Sequence, residues 1–148
     1  MSFSSHFITC AGREIHYTQW GATQAPVVVA WHGLARTGRD MDELARHLAP
    51  RYRVICPDTL GRGLSQWAAR PAEEYCLAFY ARLAADLFDE LGIETAQWVG
   101  TSMGGLIGMV LAFCLCGAMV DHGCMGEVWC YFGTAVLCWT AKKGTIRP

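Results

Sequence analysis

The sequence has little charge of either sign. Its 148 residues carry a formal net charge of -1, and 17% of them are Asp, Glu, Lys or Arg. Disordered chains are more polar and more highly charged, and nucleic-acid-binding domains carry basic patches, so both classes are excluded. With 53% hydrophobic residues and the length of one ordinary domain, the chain is predicted to fold around a single core.

The first residues lack the pattern of a secretory signal, since residues 1–7 contain no positively charged segment followed by an apolar one. We therefore expect a cytoplasmic protein, in which the eight cysteines stay reduced and form no structural disulfides. No metal site is expected either. Paired C-x-x-C spacing is absent from the four cysteines considered as ligands, Cys114, Cys116, Cys124 and Cys130.

Lysine is absent from the first 112 residues, where all nine basic residues are Arg, and both lysines, Lys142 and Lys143, follow later. Five of the eight cysteines fall in the last 36 residues. This tail has neither linker composition nor an internal repeat nor a clear apolar period. We therefore divide the chain into residues 1–112, a folded unit, and residues 113–148, an atypical apolar, Cys-rich tail. We interpret the tail as foreign to the fold, the product of out-of-frame translation or of a splice.

Strand and helix patterns alternate in residues 1–112. Residues 7–10 and 14–19 predict an antiparallel hairpin, and three apolar runs predict buried strands at Val27–Trp31, 52–57 and 96–100. Two amphipathic helices are predicted between them, one starting at a capping box over residues 40–43 and ending at Pro50, the other over residues 73–91 with Gly92 as its stop. Strands separated by helices imply right-handed crossovers. The predicted fold class is therefore α/β, with a mostly parallel sheet and an antiparallel N-terminal edge.

The strand at residues 96–100 runs directly into Gly100-Thr101-Ser102-Met103-Gly104-Gly105 and then into an apolar, helix-compatible stretch. This is the context of a G-x-S-x-G nucleophile elbow, a sharp strand-to-helix turn that exposes the serine. Gly100 and Gly104 are needed because a side chain at either place would collide where the backbone doubles back. Ser102 would then lie at a helix N-terminus, where N–H groups and the dipole favour developing negative charge. Ser102 is the candidate nucleophile.

Two further loops follow predicted strands. His32-Gly33-Leu34 follows Val27–Trp31, at the place where an oxyanion hole is completed by a backbone N–H. The candidate donors are the N–H groups of Leu34 and Met103. The loop Asp58-Thr59-Leu60-Gly61-Arg62-Gly63-Leu64-Ser65 follows the strand that ends at Pro57, and its two glycines suit a tight turn with positive φ.

At these three places the sequence resembles the α/β-hydrolase superfamily, whose members carry a His-Gly loop, a D-x-x-G-x-G-x-S loop and a G-x-S-x-G elbow in this order. The resemblance covers about residues 8–112, roughly the N-terminal half of such a domain. It implies a serine hydrolase that needs no cofactor and acts on a small-molecule ester or related carbonyl substrate, most like carboxylesterases and carbon–carbon bond hydrolases. A serine at the elbow disfavours the epoxide hydrolase and haloalkane dehalogenase branches, which place Asp there. The later strands are expected to be missing, which would leave the strand at 96–100 with an exposed edge open to aggregation or self-association.

The resemblance also implies a triad in the order Ser, acid, His. After Ser102 only Asp121, His122 and Glu127 follow as acid or base, and adjacent Asp121 and His122 cannot readily make the hydrogen bond that orients a base. We therefore do not assign His122 as the base. Asp58 is expected to bond its own backbone and His32 to pack under the oxyanion loop. The remaining histidines are no stronger as candidates: His6, His16 and His47.

The chain is therefore predicted to be a serine hydrolase that is weakly active or inactive as given, with an inactive hydrolase-derived fragment as the alternative. A second alternative is a membrane-associated protein, because residues 96–120 contain no charged residue over a length that spans a bilayer. The elbow argues against membrane insertion, because it makes residues 97–100 a strand. Gly104, Gly105 and Gly108 would let the following helix pack closely on the sheet.

Overall fold

A mixed β-sheet with helices on both faces organises the described part of the chain. The computed structural model describes residues 2–117, 127–131 and 134–139, with side chains described for residues 2–112. The strands are β1 (Ser4–Cys10), β2 (Arg13–Trp20), β3 (Val27–Trp31), β4 (Arg53–Pro57), β5 (Ala96–Thr101), β6 (Glu127–Tyr131) and β7 (Thr134–Trp139). They lie side by side in the order β1-β2-β4-β3-β5-β7-β6.

The N-terminal edge is the predicted antiparallel hairpin. Strands β1 and β2 pair from Ser4 opposite Gln19 to Cys10 opposite Arg13. Ala11 and Gly12 form the turn with φ of 48° and 71°, left-handed values that match the twist of a tight hairpin. Strand β2 then pairs with β4 in antiparallel orientation, so the hairpin extends the central sheet.

The centre of the sheet is parallel and carries the loops of interest. Strand β3 pairs with β4 on one side and with β5 on the other, and Trp31 lies opposite Gly100. Because parallel strands end at the same edge, the loop after Trp31 lies beside the turn after β5. This pairing brings the His-Gly loop next to the serine elbow.

Side chains alternate across the sheet into two apolar clusters. Val28 and Ala30 pack on one face against helix α1 (Asp42–Leu48), which a short 3-10 turn (Gly38–Met41) precedes. Val29 and Trp31 pack on the other face against helices α3 (Leu77–Glu90) and α4 (Met103–Gly117). Each fully buried large apolar side chain contributes about 1.5–3 kcal/mol to folding. The α/β fold class predicted from the sequence is confirmed.

The predicted capping box does not form. The helix begins at Asp42 after the 3-10 turn, and neither Thr37 nor Met41 makes a side-chain cap hydrogen bond. Asp40 instead forms an ion pair with Arg36, with 3.4 Å between its Oδ2 and Nε. Asp40 thus lies inside the 3-10 turn and is not the N-cap residue of either element.

The helix predicted over residues 73–91 is confirmed from Leu77 to Glu90, but its start differs, because the chain forms a separate α2 (Pro71–Glu74) before α3 (Leu77–Glu90). Cys76 at the break is extended, with φ of -141° and ψ of 159°. The Glu74 carboxylate accepts hydrogen bonds from the N–H groups of Ala69 and Arg70 and from Arg13. These bonds hold the end of α2 in place, and the chain must turn before it can start α3. Gly92, with φ of 63°, follows α3 as predicted.

Strand β5 is paired on both sides, which corrects the expectation of an unpaired edge there. Strands β6 and β7 form an antiparallel hairpin, and β7 pairs with β5 from Ala96 opposite Trp139 to Thr101 opposite Thr134. Parallel pairing is therefore confined to β4, β3 and β5 in the described sheet. Among the described residues no helix has the length and apolar character needed to cross a membrane, and residues 96–101 are a strand. Asp121 and His122 lie outside the described residues.

Candidate active site

Ser102 lies in a strained turn between β5 and α4. Its φ is 52°, a left-handed value that a non-glycine residue adopts only when its surroundings hold it there. The residue is exposed, although Met103 directly after it is buried. The turn therefore presents the serine to solvent at the N-terminus of α4.

The two elbow glycines allow the close approach that this turn requires. A Cβ atom at Gly100 would lie 2.3 Å from the carbonyl carbon of Gly104, and a Cβ atom at Gly104 would lie 2.3 Å from the carbonyl oxygen of Trp31. Both distances are too short for any side chain. Gly104 is also held by the buried indole of Trp98, whose Nε1–H donates to the Gly104 carbonyl oxygen at 2.9 Å.

The His-Gly loop passes directly beside the serine. A Cβ atom placed at Gly33 would lie 3.7 Å from the Cβ atom of Ser102, which is ordinary contact distance. Leu34, the next residue, is 58% exposed and lines the same cleft as Ser102 and Met103. The N–H of Met103, in the first turn of α4, has no acceptor within the helix. The two residues predicted from sequence as oxyanion donors therefore flank one cleft.

The cleft above Ser102 has a volume of about 480 Å³. Its wall is mostly aliphatic and aromatic, and it is lined by Leu34, Arg62, Tyr75, Cys76, Leu77, Tyr80, Ser102, Met103 and Leu106. Arg62 is the one residue in this lining that is charged at neutral pH. The break between α2 and α3 places Tyr75, Cys76 and Leu77 on this wall.

Arg62 is anchored by several neighbours. Its Nε donates to the Leu34 carbonyl oxygen at 3.1 Å, and its Nη1 donates to the Leu60 carbonyl oxygen at 2.8 Å and to the Tyr80 hydroxyl at 2.9 Å. The guanidinium carbon lies 5.4 Å from the ring centroid of Tyr75 and 5.7 Å from that of Tyr80. Arg62 thus ties the glycine loop to the His-Gly loop and to α3.

Asp58 has a structural role, and it also has a partner that the sequence did not predict. Its Oδ1 accepts from the N–H of Gly38 at 2.6 Å, and its Oδ2 accepts from the N–H of Leu64 at 2.9 Å, a bond within its own loop. The Nδ1–H of buried His16 also donates to Oδ2, at 2.8 Å, and Ser5 Oγ lies 2.7 Å from the other ring nitrogen of His16. The carboxylate is therefore occupied away from Ser102.

His32 is fully buried beneath the His-Gly loop, where it was expected. Its Nδ1–H donates to the Gly33 carbonyl oxygen at 2.6 Å, and its Nε2 accepts from the N–H of Thr59 at 2.9 Å. Burial lowers the pKa of His32, so the imidazole stays neutral. Both nitrogens are used, and the ring joins two loops instead of acting on Ser102.

None of the histidines in residues 2–112 makes a hydrogen bond to Ser102 Oγ. His6 bonds Ser4 Oγ, and exposed His47 donates to the carbonyl oxygen of Glu43. With His16 and His32 occupied as described, this part of the chain supplies the serine with no general base. The side chains of the four tail cysteines considered as ligands lie outside the described side chains.

Two features of this region were not predicted from the sequence: the presence of Arg62 in the cleft wall, and the ion pair between Arg13 and Glu74 beside the break between α2 and α3. Arg13 reaches Glu74 through two hydrogen bonds of 2.8 and 2.6 Å, and this contact holds the pKa of the Glu74 carboxyl at about 2. These residues lie 61 positions apart, and no local pattern links them. The only sequence feature that could have indicated a role for Arg62 was its position between the two glycines of its loop.

Comparison with known proteins gives matches over the same region. A family model described as the alpha/beta hydrolase fold matches residues 26–112. A 3-hydroxybutyrate-oligomer hydrolase from Cupriavidus necator is 50% identical over 111 residues, covering 72% of this chain and 38% of that protein. Lipase LipV from Mycobacterium tuberculosis is 33% identical, covering 67% of this chain and 36% of that protein.

A solved structure also matches this chain. The crystal structure of an alpha/beta hydrolase from Novosphingobium aromaticivorans superimposes with a TM-score of 0.70 at 35% identity, over 76% of this chain and 40% of that chain. The chain thus spans less than half of the length of each of these three proteins.

Proposed function

Because the chain belongs to the alpha/beta hydrolase family, we propose that it carries the nucleophile and oxyanion donors of a serine hydrolase that cleaves small carboxylic esters. The observation that carries this proposal is the conformation of Ser102, exposed in an apolar cleft with φ of 52° at the start of α4. Such strain is retained where surrounding structure imposes it, and it is common at catalytic residues. Ser102 is the proposed catalytic residue.

The proposed reaction is acyl transfer in two steps. Ser102 Oγ attacks the ester carbonyl carbon, and the N–H groups of Leu34 and Met103 donate to the developing oxyanion. The new bond joins Oγ to the acyl carbon, the ester C–O bond breaks, and the proton of the serine hydroxyl leaves with the alcohol. Water then attacks the acyl-serine, releasing the carboxylic acid and restoring the hydroxyl.

The substrate class follows from the cleft and from the relatives. The lining is mainly Leu, Met and Tyr, which suits a short aliphatic acyl chain. The relative from Cupriavidus necator is named as a hydrolase of 3-hydroxybutyrate oligomers, and these are esters of a short hydroxy acid. We therefore propose a short hydroxy-acid oligoester as the substrate class.

The chain as it stands is proposed to be a weak catalyst. Proton transfer to the leaving alcohol needs a base, and residues 2–112 place none at Ser102. A serine protease that lacks a triad member keeps only about 10³–10⁴-fold rate enhancement over water, from binding and the oxyanion hole. The family match ends at residue 112, where the composition changes, which supports the interpretation of residues 113–148 as a tail foreign to the family's fold, even though its residues 134–139 pair with β5 in this chain.

Labelling with a fluorophosphonate probe, followed by peptide mapping, tests the nucleophile. We expect slow labelling at Ser102, accelerated by added imidazole, which supplies the missing base from solution. Labelling should disappear in Ser102→Ala and stay unchanged in the matched control Ser5→Ala. Ser5 is the informative control because its hydroxyl contacts the His16–Asp58 pair.

Two results would contradict Ser102 as the nucleophile, and a third would contradict only the proposal that the chain is a weak catalyst. Labelling at Ser5 would place the nucleophile in the hairpin. If the probe modifies Ser102 no faster than exposed Ser2 and Ser4, even with imidazole, the turn does not activate the serine. Rapid stoichiometric labelling of Ser102 without imidazole would show that a base is present, and His122 would be the first residue to replace. In that case p-nitrophenyl ester hydrolysis should be fast and should be lost in Ser102→Ala.

A further inference from the structure

Arg62 places a positive charge in the wall of an otherwise uncharged cleft. We infer that Arg62 binds a carboxylate of the substrate, so that the cleft selects short esters that also carry a free acid group. This inference rests on the proposed function, because it names a feature of the ester that Ser102 would attack. The hydroxy-acid oligoester proposed above carries one such carboxylate at its acid end.

The hydrogen bonds of Arg62 leave one side of the guanidinium available. An arginine side chain has five N–H donors. Nε and Nη1 donate to Leu34, Leu60 and Tyr80, whereas Nη2 has no acceptor among the described residues. A carboxylate would supply the acceptor that Nη2 lacks, through a charge-assisted hydrogen bond.

Arg62 also forms no ion pair with the other described residues. No carboxylate lies within 4 Å of its guanidinium in the part of the chain that the structure describes, although Arg13, Arg39 and Arg70 each have such a partner. The carboxylate of its own loop, Asp58, is held by His16 and by backbone N–H groups. An anion that enters the cleft therefore meets a cation without a competing internal partner.

The surroundings of Arg62 strengthen its attraction for an anion. The guanidinium is half-buried between the rings of Tyr75 and Tyr80, which restrict its orientation and limit its hydration. A charge with less water around it interacts more strongly with an opposite charge than one in bulk solvent. Leu34, Leu77 and Leu106 on the same wall provide contacts for the aliphatic part of an ester.

Equilibrium binding of a matched pair of ligands tests the inference. The linear dimer of 3-hydroxybutyrate as the free acid is compared with its methyl ester, using ligand-observed NMR titrations of the intact chain at neutral pH. We expect the acid to bind about tenfold more tightly than the methyl ester, a difference in the range of one charge-assisted hydrogen bond. The difference should shrink as salt is added.

Variants separate recognition of the carboxylate from a purely structural role. Arg62→Gln should abolish the preference for the acid, and Arg62→Lys should retain part of it because the charge remains. The control Arg46→Gln removes an exposed arginine of α1, and it should leave the preference unchanged. A structural role alone would weaken binding of both ligands equally.

The comparison of the two ligands on the unaltered chain remains decisive even if an Arg62 variant fails to fold. Equal affinity for acid and ester, or no binding of either, would overturn the inference. An acid preference that persists in folded Arg62→Gln would also overturn it. The measurement needs no reaction at Ser102. Absence of Ser102 labelling with an intact acid preference would therefore reject the proposed function alone, and labelling without the preference would reject the inference alone.

Discussion

Replacing Gly104 with alanine should destabilise the fold, because the new methyl group would collide with backbone atoms. The added Cβ would lie 2.3 Å from the carbonyl oxygen of Trp31 and 2.8 Å from that of His32, whereas ordinary contact begins near 3.4 Å. The strand and the elbow would have to separate by about 1 Å, in a region where both are packed in the core.

The size of the effect follows from two opposing contributions. Overpacking typically costs about 1–3 kcal/mol, and the upper part of that range applies because the atoms in the way are backbone. Alanine favours a helix over glycine by up to about 1 kcal/mol, and Gly104 lies in the first turn of α4. The net loss should be about 2 kcal/mol. In a domain of this size that lowers Tm by roughly 6 °C.

Gly33→Ala is the matched control. Its Cβ would meet only the Thr101 carbonyl oxygen at 3.6 Å and the Ser102 Cβ at 3.7 Å, so its stability should change by no more than about 0.5 kcal/mol. Thermal unfolding of both variants, followed by near-UV circular dichroism of the buried tryptophans, measures the difference. If Gly104→Ala has the same Tm as the unaltered chain, or if Gly33→Ala loses as much stability as Gly104→Ala, the steric explanation of the elbow glycine is wrong.

Three further outcomes are expected. The pKa of the Glu74 carboxyl is held at about 2, below its ordinary 4.5, so its contribution to stability is present above pH 4.5 and is lost as the pH falls from 4.5 toward 2. A plot of Tm against pH should show this decline, and Glu74→Gln should make the plot flatter in that range. Trp98→Phe removes the indole donor to the Gly104 carbonyl and should cost about 1–3 kcal/mol in urea unfolding, and an unchanged midpoint would refute that role. Deleting residues 113–148 should reduce hydrogen-exchange protection at the edge of β5 that pairs with β7 and at the end of α4, whose residues 113–117 the deletion removes. A large loss in Val27–Trp31 would show that the tail is integral to the fold.

Local sequence patterns correctly predicted those strands and turns whose conformation depends mainly on residues close in the chain. Strand Val27–Trp31 has the predicted bounds, because a run of five apolar residues that contains three valines and a tryptophan has the length and composition of a buried strand. The glycines at positions 61 and 63 were predicted to take positive φ and have values of 76° and 53°. The two local patterns that failed have structural explanations. Asp40 lies inside the 3-10 turn that precedes α1, and Arg13 holds Glu74 at the break between α2 and α3.

The sequence by itself determined the order of the first five strands, the turn at Ser102 and the resemblance to the family. These depend on hydrophobic periodicity and on steric limits within a few residues, which can be identified from the letters alone. Only the tertiary structure decided that Arg62 faces the same cleft as Ser102, that His16 rather than a catalytic residue binds Asp58, and that β7 covers β5. Each of these contacts joins residues far apart in the chain. Their formation depends on how the packed sheet and helices bring side chains together, which no local pattern contains.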